Sequence, residues 1–373
     1  MTRRGFAGAS GAALVMEPQL VRGSQANSAL TIGLIGCGER GTGVSQIIAR
    51  DDRVKFTALC DVRGEQMEQA AGKLKAQSAR RFGDYRELLE SNVDAVYIAT
   101  PVYLHPLHLE SAILAGKHVY CEKPMGVDVP GCLRVMRAAE KVTPRQCVTV
   151  GFQNRYGPGY LKAEELLRKN TIGSIKMARS NWIASTGIGK LRRAPVPPAA
   201  EKLIYWVDWR QYSGDFIVEQ DCHGVDVLNW FLGGVPLKAA GTGGRIMRTY
   251  GDNLDHLNVT FTYPTGVNAV LTATQFGPNG YRVVSETFIG QEGVIETQRQ
   301  SLWVYRNQKE QSVEKIDKSI TENAVEQFVE RVLTGKPENT AARSAESTLA
   351  CILGRMAIDR RREVTWKEML AEG

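Results

Sequence analysis

The chain has 373 residues and a formal net charge of +7, with 43% hydrophobic and 23% charged residues, a balance that suits a globular protein of two ordinary domains. No run of about 20 apolar residues occurs, and the scattered Lys and Arg come with no zinc-finger or RNA-binding signature, so neither membrane integration nor a nucleic-acid partner is expected. Seven cysteines without a C-x-x-C pair argue against a disulfide framework and for folding where thiols stay reduced.

Residues 1–28 read as an address. Arg3-Arg4, then Phe6, then small and apolar residues resemble a twin-arginine export signal, and Ser24-Gln25-Ala26 offers a small-x-small cleavage site. Glu17 and Pro18 interrupt the apolar part. The expectation is a protein folded in the cytoplasm and exported to the periplasm, or a cytoplasmic one if the signal is not functional.

Residues 29–152 alternate strand and helix patterns. Ala29–Gly36 is a β-branched apolar run fit for a buried parallel strand. Gly36-Cys37-Gly38-Glu39-Arg40-Gly41 follows as G-x-G-x-x-G before a helical stretch. Gly36 permits the tight turn, Gly38 lets backbone approach a pyrophosphate, and Gly41 lets helix and strand pack closely. The strand Val54–Cys60 ends in Asp61, 25 residues after Gly36, near the spacing of a ribose-binding carboxylate. That acid favours NAD, while Arg63 keeps NADP open; Asp61 as a helix N-cap is the alternative. Helices over 65–77, 85–90, 107–115 and 130–141 alternate with strands over 93–100, 118–121 and 147–152. Such βα repeats imply a Rossmann parallel sheet with ligands at the carboxyl ends of the strands, beside Gly36, Asp61, Thr100, Glu122 and Lys123.

Residues 153–373 read as a substrate-binding and oligomerisation domain. A linking helix over 157–170 precedes strands over 175–183, 236–248, 257–263, 267–276, 281–289, 293–297 and 301–306, an open and mainly antiparallel sheet. Helices over 321–335 and 343–361 are expected to pack back on the first domain. Trp182, Tyr205, Trp206, Trp209 and Tyr212 form either a sugar-stacking cleft, with Tyr205 and Trp209 as candidate substrate residues, or core aromatics. The Pro-rich stretch 194–199 reads as a loop at the cleft mouth. His256 could reach the same cleft or sit on a strand edge.

Two segments carry a resemblance. Residues 100–125, TPVYLHPLHLESAILAGKHVYCEKPM, contain T-P-x-x-x-H followed by A-G-K-H-V-x-C-E-K-P, and residues 213–230, SGDFIVEQDCHGVDVLNW, contain an acid followed by H-x-x-D. With GCGERG, they resemble the glucose–fructose oxidoreductase / inositol dehydrogenase / rhizopine-catabolism family of oxidoreductases. The resemblance implies hydride transfer between a sugar or polyol hydroxyl and a bound nicotinamide. It places Thr100, Pro101, His105, Glu122 and Lys123 against the cofactor, with a cis proline after Lys123 and a Lys123 pKa lowered by burial. It makes His223 the proton acceptor near its ordinary pKa, with Glu219 in the relay and Asp226 orienting His223 or bonding the sugar. Glu219 stands where relatives more often carry Asp. An NAD-dependent glycosidase with no net redox change is the alternative. A homodimer or homotetramer is expected, and no metal, because Glu219, His223 and His256 match no metal motif.

Overall fold

The computed structural model describes residues 29–185, 197–278, 280–306, 309–313 and 318–373. The expected export signal lies outside them, as do residues 194–196 of the Pro-rich stretch, whose end opens the short helix Pro198–Leu203.

The first sheet forms from strands β1 (Leu30–Ile35), β2 (Val54–Cys60), β3 (Arg80–Phe82), β4 (Ala95–Ile98), β5 (His118–Cys121) and β6 (Val148–Val150). They pair in the parallel order β3-β2-β1-β4-β5-β6, the doubly wound arrangement that places a crevice where the order reverses at β1 and β4. The apolar runs earn their burial: every residue of β4 and β6 is buried. Helices α1 (Glu39–Ile48), α2 (Gly64–Leu74), α3 (Tyr85–Glu90), α4 (His105–Leu114) and α5 (Val129–Ala139) connect them. The short β3 was not expected.

Helix α6 (Pro158–Arg168) leads to a second sheet. Its strands are β7 (Ile175–Ala184), β8 (Lys238–Gly244), β9 (His256–Thr262), β10 (Asn268–Thr274), β11 (Arg282–Gly290), β12 (Gly293–Gln298), β13 (Ser301–Arg306), β14 (Lys309–Val313) and β15 (Val364–Thr365), in the order β14-β13-β12-β11-β7-β10-β9-β8-β15. All neighbours are antiparallel except β7 and β10. The strand expected over 236–248 stops at Gly244 because the buried Asp255 carboxylate accepts the N–H groups of Ile246, Met247 and Arg248, the latter two at 2.7 Å, and turns the chain away.

Helix α7 (Cys222–Leu232) lies on the inner face of this sheet. Ser180 of β7 and Glu286 of β11 are paired across the strands, and a Cβ on Gly224 would stand 2.1 Å from the Ser180 hydroxyl. Helices α8 (Ile320–Leu333) and α9 (Ala341–Arg360) follow. Val325, Phe328 and Val329 of α8 join the core cluster of Leu34 and Tyr120, so α8 packs on the first sheet. Leu349 and Ile352 of α9 share one core with Val135 of α5 and Phe261 of β9, which locks the two halves together.

Candidate active site

Two adjoining cavities open at the carboxyl ends of the first sheet. The first, of about 450 Å³, is bounded by Gly36, Gly38, Asp61, Thr100 and Pro101 from the first sheet and by Trp206 from the second half of the chain. Gly36 has φ 95°, where a side chain is strained, and a Cβ there would meet the Ala99 carbonyl oxygen at 2.6 Å. A Cβ on Gly41 would meet the Gly36 carbonyl oxygen at 2.0 Å, whereas around Gly38 nothing lies within 4 Å. Gly38 is the N-cap of α1 and has no side chain to satisfy the free N–H groups, so the helix end is open to an anion. Asp61 accepts the Cys37 N–H at 2.8 Å and the Arg63 N–H at 2.9 Å, which fixes its carboxylate on the cavity wall. The donor set therefore fits a dinucleotide: open N–H groups for a pyrophosphate and a carboxylate for ribose hydroxyls. The Cys37 side chain is buried against the Cys60 carbonyl, and Glu39 is exposed and borders neither cavity.

The second cavity, of about 340 Å³, shares Thr100 and Trp206 with the first and adds Lys123, Glu219, His223 and Trp182. Lys123 follows β5 by two residues, and its bond to Pro124 is cis. His105 sits between carbonyl oxygens of Pro124 at 2.7 Å and Thr100 at 2.8 Å, and burial holds its pKa down. His105 thus ties the Thr100 turn to the Lys123 turn. Glu122 accepts Arg40 at 2.8 Å and the Tyr97 hydroxyl at 2.9 Å, so it positions Arg40 at the cavity wall.

Lys123 Nζ donates to the Glu219 carboxylate at 3.0 Å and also to the Glu219 carbonyl oxygen. Burial works against its charge, yet Glu219, Cys222 and Glu122 outweigh it and raise the ammonium above its ordinary range. The expected lowering of the Lys123 pKa is thereby corrected. His223 opens α7, buried between Trp182, parallel at 6.0 Å between ring centres, and Phe152, edge-on at 6.1 Å. Its Nδ1 has no hydrogen-bond partner among the described residues. Burial first, then Lys123, Arg299 and Arg40, push its pKa well below the usual imidazole value, so the ring is neutral rather than poised near 6.5 as expected.

Other candidates fall elsewhere. Asp226, three residues beyond His223 and also buried, pairs with Arg155 at 2.8 and 2.9 Å and accepts Ser347 at 2.7 Å. It holds α7 to α9 and does not border the cavity. Tyr205 and Trp209 pack edge-on against Tyr250 at 6.3 and 5.7 Å, away from both cavities. His256 faces Asp255 at 2.9 Å at the start of β9 and does not border the cleft. In their place stand Trp182 and Trp206, from the aromatic-rich stretch, with Gln153, Gln220 and Arg299, which no sequence signal marks. Among the described residues no cluster of three His, Cys, Asp or Glu side chains could hold a metal ion. No described helix is long and apolar enough to cross a membrane.

Residues 30–152 match the family described as "Oxidoreductase family, NAD-binding Rossmann fold", and residues 160–296 match the GFO/IDH/MocA C-terminal domain. An inositol 2-dehydrogenase of Acidothermus cellulolyticus is 28% identical over 270 residues, 71% of each chain. An inositol 2-dehydrogenase/D-chiro-inositol 3-dehydrogenase of Shouchella clausii is 32% identical over 150 residues, 40% of this chain and 43% of that protein. The crystal structure of scyllo-inositol dehydrogenase from Lactobacillus casei with bound NAD(H) and scyllo-inositol superposes with a TM-score of 0.73 at 21% identity, covering 91% of this chain and 100% of that one; it shares the fold.

Proposed function

Because the chain belongs to the GFO/IDH/MocA family of NAD-binding oxidoreductases, we propose that it oxidises a hydroxyl of a sugar or polyol in the cavity walled by Lys123, Glu219 and His223. The observation that carries this reading is the meeting, beside the GCGERG cavity, of a carboxylate-held lysine and a buried neutral histidine. The relatives named for inositol dehydrogenation support a polyol as the substrate class.

NAD, held by the open end of α1 and by Asp61, supplies the hydride acceptor when bound. The protein's own part is proton handling. Glu219 aims the Lys123 ammonium and keeps it charged, so Lys123 stabilises negative charge developing on the substrate oxygen. His223, neutral and with no Nδ1 partner among the described residues, accepts the hydroxyl proton. Arg40 is a positioned wall residue, fixed by Glu122. Trp182 and Trp206 supply flat apolar surfaces for the C–H faces of a sugar.

Incubation of the purified protein with NAD and a panel of sugars, polyols and glycosides tests the reading. Products lighter by two hydrogens, formed in step with NADH absorbance, are expected. Cleaved glycosides with no NADH build-up would replace it with the redox-neutral glycosidase. Export through Arg3-Arg4 and assembly as a homodimer or homotetramer complete the proposal; cell fractionation of an Arg3→Lys/Arg4→Lys double variant and light scattering check them.

A further inference from the structure

Three cations and two carboxylates line the second cavity: Arg40, Lys123 and Arg299 against Glu122 and Glu219. Both carboxylates are taken, Glu122 by Arg40 at 2.8 Å and Glu219 by Lys123 at 3.0 Å. Arg299 is left over. It stands in the turn between β12 and β13, and its Nε is buried without a hydrogen-bond partner among the described residues. The acid beneath it, Glu286, is already bonded to Tyr160 at 3.1 Å and Thr297 at 3.0 Å, and burial raises its pKa to about 7, so it is an incomplete counter-ion. Burial, with Arg282 and Arg40 nearby, depresses the Arg299 pKa against the pull of Tyr160 and Glu286.

A guanidinium that has lost part of its hydration and gained no anion is stabilised strongly when a carboxylate arrives, because its fork matches a carboxylate in two parallel hydrogen bonds. Its position suits one sugar ring. The Arg299 guanidinium lies 5.6 Å from the Trp182 ring centre and the His223 ring 6.0 Å from it. A substrate with its reacting hydroxyl at His223 and an acidic group at Arg299 would lie across Trp182. Arg282, 5.7 Å from the same ring, adds a second positive charge on that side.

We infer that the substrate is a carboxylated sugar, a uronate or aldonate, whose carboxylate is received by Arg299. For its reaction this rests on the hydride-transfer reading above; the anion contact stands apart from it. A phosphate of the cofactor is the other anion that the guanidinium could meet, and the test separates the two.

Full-length protein loaded with NADH is titrated calorimetrically with hexuronates and aldonates and with their neutral counterparts; NADH affinity is measured separately by fluorescence. The wild type is expected to bind the acid more than about tenfold more tightly than its neutral counterpart. Arg299→Gln should cut that preference by about tenfold or more, and Arg299→Lys should restore part of it. Steady-state rates with NAD should show the same loss mainly in KM. Equal binding of acid and neutral sugars, no binding of either, or an equal loss for both in Arg299→Gln overturns the inference. So does a weakened NADH affinity with the acid preference intact, which assigns Arg299 to the cofactor phosphates. Acid binding that depends on Arg299 without turnover of any sugar leaves the anion site standing and removes the hydride-transfer reading instead.

Discussion

Asp61 is the side chain on which the proposed cofactor choice rests. Two backbone N–H groups hold its carboxylate on the cavity wall, where it would accept ribose hydroxyls and repel a 2′-phosphate. Arg63 and Arg86 border the same cavity and are ready to receive that phosphate once the acid is gone. Asp61→Ser is therefore expected to lower kcat/KM for NAD by about tenfold, the worth of one or two hydrogen bonds to a charged group, and to raise it for NADP. An unchanged ratio of the two would remove Asp61 from the ribose site. Asp61, the glycines and Lys123 are legible in the sequence because each answers a local demand of a strand end. Asp226 was legible as a residue type only. Helix α7 is buried on nearly every side, so the small rotation from His223 to Asp226 passes from cavity to core, where Arg155 claims the carboxylate. Trp206 is legible only as one of five aromatics, and Arg299 is invisible at this scale, since the wall they form exists only after distant segments pack.

At the scale of elements, the turn between β1 and α1 separates two uses of glycine. Gly41 is needed by the fold, because its Cβ would collide with the Gly36 carbonyl oxygen; Gly41→Ala should displace α1 and cost about 1–3 kcal/mol. Gly38 is not needed by the fold, since its surroundings are open and its φ of −66° suits any residue; only the proposed cofactor would require it. Gly38→Ala should keep the melting temperature of the wild type while weakening NADH binding by more than about tenfold, as its methyl group fills the approach to the pyrophosphate. Tight NADH binding by Gly38→Ala would place the phosphates elsewhere. Element reading succeeded where periodicity had room: the main helices and the long strands β7, β9, β10 and β11 all appear close to their expected bounds. Strands β3, β14 and β15, three, five and two residues long, were not legible, because they are too short to show a clear period and exist because a neighbouring strand offers hydrogen bonds. The expected strand overran at β8, where Asp255, past the end of the expected strand, turns the chain away.

The whole molecule is held by a core that runs through both halves, and its polar centre carries a pH signature. Glu286 lies under α7, bonded to Tyr160 of α6 and Thr297 of β12, with Arg299 and Asp226 also acting on it. Burial raises its pKa from 4.5 to about 7. Between those values the native state binds a proton that the unfolded chain has released. Stability from this group is therefore full below the unfolded pKa and falls as pH rises toward 7, by at most about 1.4 kcal/mol per pH unit. Glu286→Gln keeps acceptor and shape but cannot titrate. The stability advantage of wild type over Glu286→Gln should thus shrink from pH 5 to pH 7 and then level off, measured by urea unfolding at each pH. Parallel pH profiles for the two proteins would mean that Glu286 stays ionised in the fold. In that case it would be a full counter-ion for Arg299, and the cavity would have no cation to spare for an acidic substrate. The stability measurement on the core and the specificity measurement at the cavity therefore bear on the same charge balance, because one sheet carries both groups.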